Sequence, residues 1–116
     1  MKKLILVAAA MAALPFAAHA KPAPARCVVA SAGEKPYSGP CSFLSEGKGS
    51  FDIAPAGRRV FSGEVTGVTV SVTGPGTAEV SGLTTSGVES RWGIAHRSRH
   101  DPACWEGEDF RVCVYR

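Results

Sequence analysis

The stretch Val65-Thr66-Gly67-Val68-Thr69-Val70-Ser71-Val72-Thr73-Gly74-Pro75-Gly76-Thr77-Ala78-Glu79-Val80-Ser81 decides the fold. Val68, Val70 and Val72 fall on one side of an extended chain and Thr69, Ser71 and Thr73 on the other. That period of two marks a strand over Val65 to Thr73 with one buried and one wet face. Gly74-Pro75-Gly76 is a turn, and Ala78-Glu79-Val80-Ser81 alternates again, so the segment reads as a hairpin.

Working outward, short runs rich in β-branched and aromatic residues recur between glycine, proline and serine. Cys27 to Ala30, Cys41 to Leu44 and Ser50 to Ile53 come before the hairpin; Val88 to Ala95 and Phe110 to Tyr115 come after it. No stretch sustains a helical period. A single helical turn is least excluded over Ser98 to Trp105, where Asp101-Pro102 could cap and start it. The expectation is an all-β domain, a small antiparallel barrel or sandwich of about six to eight short strands. Its inner face should carry Phe43, Phe51, Ile53, Val68, Val70, Val72, Val80, Trp92, Phe110 and Val112.

The beginning of the chain has a different character. Met1-Lys2-Lys3 is cationic, Leu4 to Leu14 is apolar, and Ala18-His19-Ala20 is a small-x-small cleavage box. Residues 1–20 therefore read as a secretory signal peptide. The apolar run falls short of the about 20 residues of a membrane span, and Lys21 offers no cysteine for lipid attachment. Residues 21–26 alternate proline with alanine and read as a flexible leader. Residues 27–116 form one domain, expected to be periplasmic or secreted with no membrane insertion after cleavage.

The formal net charge of +3 shrinks when Lys2 and Lys3 leave with the signal. A nearly neutral domain argues against nucleic acid as a partner. The four cysteines Cys27, Cys41, Cys104 and Cys113 all lie in the exported part, where an even count implies disulfides. Four cysteines permit three pairings. The spacing favours Cys27–Cys41 and Cys104–Cys113, each a local staple for a domain too small to rely on its core alone.

The richest segment chemically is Arg91 to Arg116, which holds both tryptophans and His96 and His100. His96, His100 and Cys104 are spaced as helical zinc ligands would be. Pro102 interrupts such a helix and an oxidising compartment consumes the thiol, so neither metal nor cofactor is assigned. No Gly-x-Ser-x-Gly elbow or phosphate loop occurs, and Glu106, Glu108 and Asp109 lack the deep cleft that paired-carboxylate chemistry needs. The residues point away from an enzyme and towards binding, with a metal-handling stress protein using His96 and His100, or a small hydrolase, as the alternatives. Trp105 and Tyr115, with Arg97, Asp109 and Arg111 around them, form the candidate binding surface for a protein or glycan partner.

The string Trp92-Gly93-x-Ala95-x-Arg97-Ser98, then Asp101-x-Ala103-Cys104-Trp105-x-Gly107-x-Asp109-Phe110-x-Val112-Cys113, resembles a carboxy-terminal signature of small uncharacterised exported proteins of Gram-negative bacteria. The resemblance covers the last quarter of the chain. It implies a shared fold and a periplasmic setting and supplies no activity. Size, export and β content are also similar to those of periplasmic lysozyme inhibitors. Their Ser-Gly-x-x-Tyr loop is absent, however: Ser86-Gly87-Val88-Glu89 runs into Ser90, and Ser81-Gly82-Leu83-Thr84 into Thr85.

Overall fold

The computed structural model describes residues 21–116; the expected signal, residues 1–20, lies outside the described residues. Eight strands follow in order: β1 (Ala23–Ser31), β2 (Tyr37–Gly47), β3 (Ser50–Pro55), β4 (Val65–Gly74), β5 (Thr77–Thr84), β6 (Glu89–Arg97), β7 (Cys104–Glu106) and β8 (Phe110–Tyr115). Each pairs antiparallel with its neighbour in sequence, and β8 returns to β1, so the sheet closes as a barrel. Closure leaves no edge strand to pair with another chain. Of the two expected architectures, the barrel is the one formed.

The alternation that predicts the strands also fills the barrel. Phe43, Phe51, Ile53, Val68, Val70, Val80, Phe110 and Val112 are buried inside, with Val72 and Trp92 partly buried against them. Outer faces carry polar pairs, among them Asp52 opposite Thr69 and Glu79 opposite Ser71. An apolar interior and a polar exterior reverse the arrangement of a membrane-spanning barrel.

The two ends differ. One end gathers the start of β1, the β2–β3 and β4–β5 turns, the loop after β6 and the end of β8; it is called the mouth below. At the other end, residues 56–64 fold back so that Phe61, 2% exposed, packs edge-on to Tyr37 with ring centroids 5.1 Å apart. The Phe61 N–H donates to the Val65 carbonyl at 2.8 Å, and the Thr85 N–H to that of Glu64 at 2.8 Å, tying the loop to the neighbouring hairpin.

Trp92 enters the core through a bulge. Val80 faces Gly93 but Ser81 faces Arg91, so Trp92 is the extra residue and its ring turns inward. The ring lies over Gly82, where a Cβ would come within 2.8 Å of the indole, and its centroid is 5.7 Å from that of Phe110. Gly93 takes φ 126°, a conformation that side chains rarely adopt.

Both favoured disulfides are present. Cys27–Cys41 lies inside the barrel, joining residues that face Gly39 and Ala25 across β1 and β2. Cys104 and Cys113 sit directly opposite each other and are bonded on the outer face of β7 and β8.

Two expectations need correcting. The leader is not wholly outside the fold, because β1 begins at Ala23. Pro24 is accommodated there because β1 pairs with β2 from Ala23 onward but with β8 only from Arg26, so its missing N–H is not needed on the second side. β2 likewise starts at Tyr37 rather than Cys41, and takes in Gly39 and Pro40 before its pairing with β3 begins at Cys41. The segment Ser98 to Trp105 contains no helix. The Ser98 hydroxyl accepts from the N–H groups of His100 and Asp101, the Asp101 carboxylate accepts from Ala103, and the chain is extended again by Cys104.

Candidate functional site

The barrel distributes the five residues of the expected binding surface over three places. Trp105 is not a surface anchor: it is 2% exposed and faces the interior, opposite Arg97 on one side and Val112 on the other. The cause is strand alternation. With Cys104 bonded to Cys113 on the outer face, the next residue must point inward.

Arg97 follows from the same register. It lies at the end of β6, and its guanidinium stacks on the Trp105 ring with Cζ 4.4 Å from the centroid. It also donates from Nη1 to the Pro102 carbonyl at 2.7 Å, which fixes the stack to the loop after β6. Arg116 repeats the arrangement across the mouth. Phe110, Val112 and Val114 alternate inward along β8, so Arg116 reaches the rim on the same face and stacks over Phe43 with Cζ 4.5 Å from the centroid. Between them is an open recess of about 350 Å³, lined by Phe43, Phe51, Trp105, Val114, Ser45, Ser50 and both guanidiniums. Arg116 was not among the expected site residues, although continuing the alternation one step past Val114 would have placed it there.

Arg111 and Tyr115 belong to the outer face and cover the exterior disulfide. Arg111 Nε is 3.5 Å from the Glu106 carboxylate and its Nη2 is 3.3 Å from Cys104 Sγ. The Tyr115 hydroxyl donates to Asp101 Oδ2 at 2.6 Å and lies 3.7 Å from the same sulfur. This bond, with a second from the Ala103 N–H, holds the Asp101 carboxyl below its ordinary range and raises the Tyr115 phenol above its own. Asp109 is at the far end, in the turn between β7 and β8, beside a recess of about 300 Å³ that also borders Glu34 and Trp92.

A larger recess, about 700 Å³, runs along the outside of the barrel past Ile94, His96, His100, Arg99 and Glu108. His96 faces Glu106 across β6 and β7. Cys104 is committed to its disulfide, so the spacing of His96, His100 and Cys104 does not become a ligand set. Among the described residues no three His, Cys, Asp or Glu side chains gather where they could hold a metal ion.

The mouth can therefore offer hydrogen-bond donors and positive charge on a rigid aromatic floor, while the outer face offers a tied network around a disulfide. No protein-family model matches the chain, and no curated protein or solved structure is significantly similar to it.

Proposed function

We propose that the chain is exported and that its β-barrel works in the periplasm or outside the cell as a non-enzymatic binding domain for another protein. The observation that carries this reading is the filled interior. Val70, Val80, Ala95 and Val112 are completely or almost completely buried together with the aromatic side chains, so recognition falls to the surface and the mouth rather than to an internal ligand cavity.

Export is supported by the signal-like residues 1–20 and by two disulfides, which persist in oxidising compartments. A non-catalytic role is supported by where the perturbed acids lie. Asp101, Tyr115 and Glu46 owe their shifts to structural contacts on the barrel's exterior, not to a shared cleft.

Between a protein and an envelope glycan, the aromatic residues favour the protein. A sugar needs an open ring face to stack on, and Trp105, Phe43 and Phe51 are buried, two of them beneath guanidiniums. Tyr115, 42% exposed, has its hydroxyl engaged by Asp101.

The test is affinity capture from periplasmic extract with the exported protein as bait, run beside sedimentation with purified peptidoglycan. Capture of a discrete protein that added peptidoglycan does not displace is the expected result. Retention by peptidoglycan alone overturns the assignment of the partner. Intact mass of the exported bait should begin at Lys21, and a retained Met1 overturns the export reading.

A further inference from the structure

We infer that the mouth is a carboxylate site that seats an acidic side chain of the partner between Arg97 and Arg116, an inference that rests on the reading of the domain as a protein binder. Strand register brings both cations to one recess, and each lies over a buried ring, Arg97 with Cζ 4.4 Å from the Trp105 centroid and Arg116 with Cζ 4.5 Å from that of Phe43. The rings take up one side of each guanidinium; Arg97 gives Nη1 to the Pro102 carbonyl, and its other N–H groups and those of Arg116 are donors for a carboxylate.

Among the described residues no aspartate or glutamate side chain lines the recess, and the ion pairs engage Arg91 and Arg111 instead. Stacking, together with the Arg97 bond to Pro102, holds the donors before a ligand arrives, so less side-chain entropy is lost on binding. The walls select the ligand further. Val114 and Ala103 offer apolar contact to a short methylene stem, and the recess of about 350 Å³ is of side-chain rather than domain size. A glutamate side chain, with its stem against Val114 and its carboxylate on the two arginines, satisfies both.

The probe is an acetylated and amidated tetraglutamate peptide, titrated into the exported protein and followed by NMR at the arginine Nε–Hε signals. Tetraglutamine and inorganic phosphate serve as parallel arms. Saturable shifts at Arg97 and Arg116 with tetraglutamate alone are expected, weakened about tenfold by Arg116→Gln and by Arg97→Gln, since a charge-assisted bond contributes on this scale. Arg58→Gln is the control, because Arg58 stacks on Tyr37 at the opposite end, and it should leave the titration unchanged. Arg116, at the rim, keeps the test decisive if Arg97→Gln loosens the fold.

Shifts centred elsewhere, no shifts, or equal saturation by phosphate overturn the carboxylate site. Capture of a protein from extract equally well by the Arg116→Gln bait overturns it while leaving the binding function standing. Tetraglutamate bound at the mouth with no protein captured upholds the site and overturns the function proposed above.

Discussion

The guanidinium of Arg97 covers the ring of Trp105 at 4.4 Å and is tied by a 2.7 Å hydrogen bond to the Pro102 carbonyl. This stack closes the barrel at β7, the shortest strand, which makes only two residue pairs with β6. Removing the lid should expose the indole edge. Arg97→Ala is expected to shift tryptophan emission to the red and to cost about 1 kcal/mol, the scale of an exposed cation–π contact. Trp105→Ala should cost about 3–5 kcal/mol because it empties part of the core. Denaturant melts of both variants check the order, and equal losses contradict the placement of Trp105 inside.

Two glycines hold the aromatic side chains in position. A Cβ on Gly107 would collide with the Phe110 ring, and one on Gly82 would lie 2.8 Å from the indole of Trp92. Neither ring is free to move, since each packs against the other. Gly107→Ala and Gly82→Ala are expected to destabilise by about 1–3 kcal/mol each through overpacking, with Gly107→Ala the worse. Gly74→Ala, where a Cβ meets nothing within 4 Å, is the control for thermal melting.

The exterior disulfide should matter for stability without deciding the fold. Cys104→Ser with Cys113→Ser opens a staple nine residues apart and should cost about 2–5 kcal/mol. Non-reducing peptide mapping should recover Cys27 with Cys41 and Cys104 with Cys113. Recovery of Cys27 with either of the last two contradicts the placement of Cys27 inside the barrel and of Cys104 and Cys113 on its outer face.

Stability should depend on pH through Asp101 and Tyr115. Asp101 titrates lower in the folded chain than in the unfolded one, so its contribution is present above the ordinary carboxylate range and is lost as pH falls through the depressed value. Tyr115 titrates higher when folded, so its contribution is present below the ordinary phenol range and is lost as pH rises through the raised value. The melting-temperature difference between the natural protein and Tyr115→Phe should therefore form a plateau across neutral pH and shrink at both extremes. A difference that persists unchanged into strong acid and strong alkali contradicts this bond.

Much of the barrel is legible in the chain because its strands obey one rule. Val68, Val70 and Val72 announce a buried face, Gly74-Pro75-Gly76 announces the turn, and the cysteine spacing announces two local staples. What escapes depends on partners far away in sequence. Pro24 looks like part of a loose leader until the offset between β2 and β8 gives it a place with no donor required. Phe61, in a loop rich in glycine and arginine, gives no strand signal, yet its burial against Tyr37 ties down one end. Trp105 looks like an interface anchor because composition reveals a residue's chemistry and not its facing; the facing is set by the bond between Cys104 and Cys113.

The central claim, that a partner protein is held at the mouth, is tested most directly by photo-cross-linking in the cells that export the chain. A benzoylphenylalanine is placed at Ser45, on the rim of the recess, and in a separate strain at Thr85, at the opposite end. The account predicts a discrete protein adduct from position 45, strongly reduced by Arg116→Gln, and none from position 85. Adducts from position 85 alone, equal adducts from both, no adduct from either, or an adduct at position 45 that Arg116→Gln leaves untouched would contradict it.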